Sequence, residues 1–184
     1  MADPRASRSH RALLDSAIAL LLENPTASMS DISKTAGVGR ATLYRHFESR
    51  DALILELALE SLQLTDEILK PIRDTSLSAK DQLSQGLTAI MAVADRYHFL
   101  LLLWQMSYDD DRINTIYLAQ LDELSTLVER GKSEQSISSD FSTSWVVSLI
   151  DSLIYAGWWE IKNGEMTAEQ AGKQLVQTLF NGIQ

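Results

Sequence analysis

The chain has 184 residues, 45% of them apolar, with eight glycines, three prolines and no cysteine. That is long enough for a sizeable core in one large or two small domains, and it excludes disulfides, thiolate metal sites and thiol redox chemistry. The formal charge of −9 opposes contact with a polyanion, yet residues 1–53 hold seven Lys/Arg against six Asp/Glu while residues 54–184 hold nine against nineteen, so any nucleic-acid contact is expected in the first third.

Taken in chain order, Arg8–Glu23 repeats Leu13 or Leu14, Ala17, Ile18 and Leu21 at helical spacing and stops at Asn24-Pro25, where the residue before proline is pushed out of the helical region. The apolar run Ala17–Leu22 is too short for a membrane span. No small-residue cleavage site follows it, so a cytoplasmic location without membrane contact is expected. Ser28, with Asp31 three residues on, caps a helix over Met29–Ala36 that ends at Gly37, a residue suited to a left-handed C-cap. Gly39 opens the next helix, to about His46. Ser49 caps a fourth, from Arg50 to about Lys70, before Pro71.

Beyond it, Ser78 with Asp81 starts a helix to about Ala94, Tyr97–Ser107 is strongly apolar, and Asp111 starts a helix to about Gly131. A polar linker, Lys132–Asp140, precedes the long aromatic helix Phe141–Lys162, which Asn163-Gly164 breaks. Thr167 with Gln170 caps a last helix to about Phe180. The expected fold is all-α with about nine helices: a three-helix helix-turn-helix domain over residues 1–53 and a helical body over residues 54–184.

Within Met29–Phe47 the spacing predicts a helix-turn-helix. Leu43 and Phe47 lie one turn apart and share a face, which Ile32, Ala36 and Val38 close into a small core. That leaves Arg40, Thr42, Tyr44, Arg45 and His46 for solvent or DNA. Arg40, at the start of the second helix, is placed for a guanine edge, and Ala41 and Thr42 for a thymine methyl. Tyr44, His46 and Arg50 are placed for phosphates, as is Ser28 at its helix N-terminus. Spacing alone also allows a small helical hairpin with a solvated polar face.

The residues Ile32, Ala36-Gly37-Val38, Thr42-Leu43-Tyr44-Arg45-His46-Phe47 and Ser49-Arg50-Asp51-Ala52-Leu53 resemble the N-terminal domain of the TetR family of bacterial transcription regulators. The likeness covers about residues 8–53. It implies a homodimer, two recognition helices on a pseudo-palindromic operator in double-stranded DNA, and a ligand-binding C-terminal domain. By motif position it carries DNA contacts onto Arg40, Thr42, Tyr44, Arg45 and His46, and also onto Ser28 and Arg50. Arg50 departs from the family's usual lysine, and both can pair with phosphate.

In the body, Trp104 and Tyr108 are one turn apart, and Tyr155, Trp158 and Trp159 sit together one turn after Asp151. With His98 these seven are the candidate effector residues for a small hydrophobic or amphipathic molecule, although aromatic residues at helical spacing also build ordinary cores. Phe141–Lys162 is apolar on more than one face, as expected of a helix buried on most sides. Trp145, Leu149, Ser152 and Leu153, with the small Ala156 and Gly157, are the candidate dimer surface, joined by Leu175 and Leu179 of the last helix. The resemblance implies the same helix pair across a two-fold axis.

Three scattered histidines, and no glycine-rich phosphate loop, metal-spaced ligand set or serine elbow, argue against an enzyme; no metal or cofactor is expected. The most concrete expectation is a repressor released from its operator by a small molecule. The alternative is a constitutive DNA-binding regulator whose body serves only dimerisation or a protein partner, and a body without a cavity would favour it.

Overall fold

A computed structural model describes residues 4–73, 76–105 and 110–182. Among them run nine α-helices and no strand. They are α1 (Pro4–Glu23), α2 (Met29–Thr35), α3 (Arg40–His46), α4 (Arg50–Leu69), α5 (Ala79–Ile90), α6 (Ala94–Gln105), α7 (Asp111–Ser133), α8 (Thr143–Lys162) and α9 (Ala168–Asn181). Short 3₁₀ turns at Lys70–Ile72 and Met91–Val93 continue α4 and join α5 to α6.

The helix ends follow local chemistry. Ser28 and Asp31 form a reciprocal capping box at α2: the Asp31 amide donates to Ser28 Oγ at 3.3 Å and the Ser28 amide to Asp31 Oδ2 at 3.0 Å. Donation from the Ser28 hydroxyl, and then from the Ser28 amide, holds the exposed Asp31 carboxyl below its ordinary pKa. Thr167 and Gln170 form the same box at α9, and Ser49, Ser78 and Ser142 cap α4, α5 and α8. At the end of α2 the chain turns through Gly37 at φ +65°, with Val38 N–H donating to Ser33 O at 3.0 Å and Gly37 N–H to Lys34 O at 3.1 Å. That paired bonding closes a left-handed C-cap, which a side chain at residue 37 would strain.

Two apolar cores form. The first joins Leu14, Ile18 and Leu21 of α1 to Ile32 of α2, Leu43 of α3 and Leu57 of α4, and extends to Phe99 and Leu103 of α6. The second is built by α5, α7, α8 and α9 around Leu87, Val128, Ile154 and Trp158. The boundary expected at residue 53 falls inside α4, and this helix packs on α5, α6 and α7 as well as supplying Leu53, Ile54 and Leu57 to the first core. The helical stretch Ala79–Leu103 has the length and apolarity to cross a membrane. Here Leu83, Leu87, Ile90, Phe99 and Leu103 are buried in the two cores.

A buried charge links α6 to both neighbours. Arg96, 5% exposed, donates through Nη1 to Glu60 Oε2 of α4 at 2.7 Å and through Nη2 to Asp15 Oδ1 of α1. Burying a guanidinium is costly unless it is paired, so these two carboxylates fix where α6 sits against α1 and α4.

Candidate functional site

The first site is the α2–α3 pair. Leu43 and Phe47 are buried against Ile32, as their four-residue spacing requires, which turns the other face of α3 outward. Arg40, Ala41, Tyr44, Arg45 and His46 are exposed there and Thr42 is half-buried; Tyr44 keeps 52% of its surface open. Arg40 folds back on α2, with Nε donating to Ser30 Oγ at 3.1 Å, and Arg45 donates to Thr42 Oγ1 at 3.2 Å. Both bonds lie on the exposed face, so exchange for bonds to another acceptor costs little.

Three expected contacts have other partners within the chain. Arg50 points inward: Nε donates to Ala27 O at 3.0 Å and Nη2 to Pro25 O at 2.5 Å. It therefore holds the α1–α2 turn against α4 rather than projecting all its donors outward. His46 lies beside His10 of α1, ring centroids 5.4 Å apart, and His10 Nε2 meets Glu56 Oε1 of α4 at 2.6 Å. The Ser28 hydroxyl is engaged with Asp31, 2.6 Å from Oδ2.

The second site is a partly open cavity of about 400 Å³ lined by α4, α5, α6, α7 and α8. That volume is within the usual range for small-molecule sites. Its wall is mainly aliphatic, through side chains such as Leu69 of α4, Leu87 of α5, Leu124 of α7 and Ile150 of α8. Two phenols interrupt it, Tyr97 of α6 and Tyr117 of α7. The Tyr97 hydroxyl donates to Asp151 Oδ1 of α8. Burial, and then the Asp151 charge, push both phenols above their ordinary pKa, and burial raises the Asp151 carboxyl as well. Arg73 and Arg130 also line it, already bound to carboxylates: Arg73 to Asp66 at 2.7 Å and Glu123 at 2.8 Å, Arg130 to Glu134 at 3.2 Å.

This wall differs from the aromatic set expected from the sequence. His98, Tyr155, Trp158 and Trp159 do not line the cavity. They form a separate cluster in which the His98 ring stacks on Trp158 at 3.7 Å and Tyr155 lies 5.1 Å from His98, while Trp158 Nε1 donates to Asp95 at 2.7 Å. Burial in that cluster lowers the His98 pKa. The reason is helical phase. Ile150 and Ile154 face the cavity, so Tyr155 is turned about 100° away, and Trp158 continues the buried stripe beyond the cavity's end. Asp151 stands behind Tyr97 rather than on the wall. The Trp104 side chain and Tyr108 lie outside the described residues. Sequence reasoning missed Tyr97, Tyr117, Gly86 and the aliphatic wall. The apolar faces of α5 and α7 were a signal, but not one that separates a cavity from a filled core.

On the outer side of α8, Trp145, Leu149, Tyr155 and Trp159 are exposed at 60%, 37%, 45% and 48%. With exposed Ser148, Ser152 and Ala156 they make one continuous stripe at three- and four-residue spacing. Gly157 and Leu175 leave the expected dimer surface because they are buried in the chain's own core. A Cβ on Gly157 would come within 2.7 Å of Met91 Sδ and 2.9 Å of Leu175 Cδ1, so this glycine serves the packing of α8 on α9. Leu153 and Leu179 are half-buried against the second core. Among the described residues no group of three His, Asp or Glu could hold a metal ion.

Residues 13–57 match the family model for bacterial regulatory proteins of the tetR family. The match spans α1 from Leu13, the helix-turn-helix and the start of α4. Residues 13–57 thus carry the DNA-binding domain of the TetR family. Over 177 residues the chain is 26% identical to the transcriptional repressor LfrR of Mycolicibacterium smegmatis, covering 96% of this chain and 90% of the relative. It is 23% identical over 168 residues to the repressor KstR2 of the same organism, covering 85% and 80%. The fold matches the crystal structure of LfrR in complex with proflavine, with a TM-score of 0.75 and 23% identity over 98% of each chain. Both relatives are HTH-type transcriptional repressors.

Proposed function

We propose that this TetR-family protein is a cytoplasmic repressor that binds a pseudo-palindromic operator as a homodimer and leaves it when a small molecule fills the cavity. Each protomer lays α3 in a major groove, with Arg40 on a base edge and Tyr44, Arg45 and His46 along the backbone. Ala41 and Thr42 stand beside thymine methyls, and Ser28 presents the N-terminus of α2 to phosphate. Arg50 acts on DNA mainly by fixing the α1–α2 turn. The exposed α8 stripe pairs with its copy across the two-fold axis, since Trp145, Leu149, Tyr155 and Trp159 together make an apolar patch that water alone covers poorly. Two α3 helices must then match half-sites about 34–36 Å apart.

The observation that carries ligand control is the position of α4. Its N-terminal half supplies Leu53, Ile54 and Leu57 to the core behind the helix-turn-helix, and its C-terminal half supplies Thr65 and Leu69 to the cavity wall. A molecule in the cavity presses on the same rigid element that aims α3. It shifts the operator equilibrium to the extent that it binds the two arrangements with different affinity. The cavity favours this reading over a constitutive regulator with a filled body. The proflavine complex of the LfrR structure also supports it.

Gly86 offers a test. It lies on α5 at the cavity wall next to α4, and a Cβ there would meet Leu69 Cδ2 at 3.4 Å. Gly86→Leu relieves a helix-interior glycine, worth up to about 1 kcal/mol, and fills the cavity against α4. The variant should fold at least as well as the parent yet bind a duplex selected from a random-sequence pool at least tenfold more weakly. Unchanged affinity in the folded variant would contradict control through this cavity.

A further inference from the structure

The charges around the cavity are unequal in a way that bears on its occupant. Arg73 and Arg130 are the basic residues of its wall, and each is already neutralised by a carboxylate. An anionic ligand would have to compete with Asp66, Glu123 and Glu134 for them while entering a strongly acidic body. Asp151 differs from those carboxylates. It is half-buried, it accepts the Tyr97 hydroxyl proton, and no cation pairs with it among the described residues. A carboxylate kept in such surroundings without a counter-ion is costly, and a cation arriving beside it recovers part of that cost.

Tyr97 extends the effect to the cavity surface. A phenol has one proton to donate, and here it is committed to Asp151. What Tyr97 can still offer a ligand is an acceptor oxygen, polarised by the carboxylate behind it, and the electron-rich face of its ring. Tyr117 lines the same cavity and also feels the Asp151 charge. Two tyrosine rings with a carboxylate behind them suit a positive charge, through cation–π attraction and direct Coulomb attraction together. Most of the remaining wall is leucine and isoleucine and suits an apolar body, and the acidic Asp122 and Glu123 also line it.

We infer that the cavity takes a lipophilic cation, a compact apolar body carrying a protonated amine or quaternary nitrogen, seated at Tyr97 and Tyr117 with Asp151 as its countercharge. This rests on the reading of the cavity as the effector site, and the probes separate the two claims. Decyltrimethylammonium, decanol and decanoate share one apolar chain and differ in head-group charge. Titrated calorimetrically into the full-length protein, decyltrimethylammonium should bind at least tenfold more tightly than decanol, and decanoate most weakly. Asp151→Asn should weaken the cationic probe by about tenfold, equivalent to about 1.4 kcal/mol, and leave decanol unchanged. If Asp151→Asn fails to fold, Tyr97→Phe serves instead, since it removes the acceptor oxygen and keeps the ring.

Binding of decanol or decanoate as tightly as the cation would overturn the charge preference and leave the cavity as an effector site. Equal affinity of the parent and Asp151→Asn for the cation would overturn the role of Asp151. Binding of none of the three would overturn both claims.

Discussion

Arg96→Met tests whether the buried charge on α6 joins the body to the DNA-binding helices. The substitution keeps much of the side chain's length and apolar packing and removes the guanidinium. Removing one partner from a fully buried ion pair costs about 3–5 kcal/mol. Here the Arg96 side chain is only 6% exposed, but Glu60 is 28% and Asp15 58% exposed, so both carboxylates regain water when the arginine is lost. That discounts the loss to about 2 kcal/mol. In a chain of this size each kcal/mol moves Tm by about 2–4 °C, so a fall of about 4–8 °C is expected at matched protein concentration.

Hydrogen exchange should rise in α1 and α6, the helices the arginine ties together, before it rises in α9. The functional counterpart is a double variant. If α6 relays cavity filling to α1, Arg96→Met should blunt the loss of operator affinity caused by Gly86→Leu. A Tm within about 1 °C of the parent, with unchanged exchange in α1, would show that the pair is a solvated surface contact and refute its role as a link. A Tm shift of the expected size with an undiminished Gly86→Leu effect would leave Arg96 a purely structural residue.

Three further outcomes are expected. Arg40→Ala should relax preference at one base position per half-site in a binding-site selection, whereas Tyr44→Ala should lower affinity for all duplexes alike; a logo unchanged in Arg40→Ala would remove it from base reading. Ala156→Glu places a charge in the middle of the exposed α8 stripe and should give monomers that bind DNA poorly, while an intact dimer in sedimentation would move the interface elsewhere. Asp151→Asn should raise Tm at neutral pH. Burial lifts the Asp151 pKa above its unfolded value, so its contribution to stability is fully present only below about pH 4 and is lost as pH rises through the raised pKa. The gain should therefore vanish in acid, and a variant less stable than the parent at pH 7 would show that the ionised carboxylate is well accommodated.

Much of the helical layout was legible because local chemistry sets helix ends. Ser28 with Asp31, Gly37, Ser49, Ser78 and the Thr167–Gln170 box all act where their spacing placed them. The outward face of α3 was legible for the same reason, since burying Leu43 and Phe47 leaves Arg40, Tyr44 and Arg45 one way to point. The join between α5 and α6 was not. The 3₁₀ turn at Met91–Val93 continues the helical direction without a proline or glycine to mark it, so α6 begins at Ala94 rather than Tyr97. The cavity was illegible for a deeper reason. It is space that five helices fail to fill, and the periodicity of any one of them reads the same whether its neighbours close over it or stand back. The inward turn of Arg50 was hidden because it depends on carbonyls some 25 residues earlier in the chain.

Selection of bound duplexes from a random-sequence pool tests the central claim most directly, because it asks both what α3 reads and how many copies read it. The full-length protein should enrich a two-fold-symmetric motif whose half-site centres lie about one helical turn apart, and Arg40→Ala should flatten the same position in both halves. Failure to enrich any motif, or a single asymmetric half-site that α3 variants leave unchanged, would contradict it.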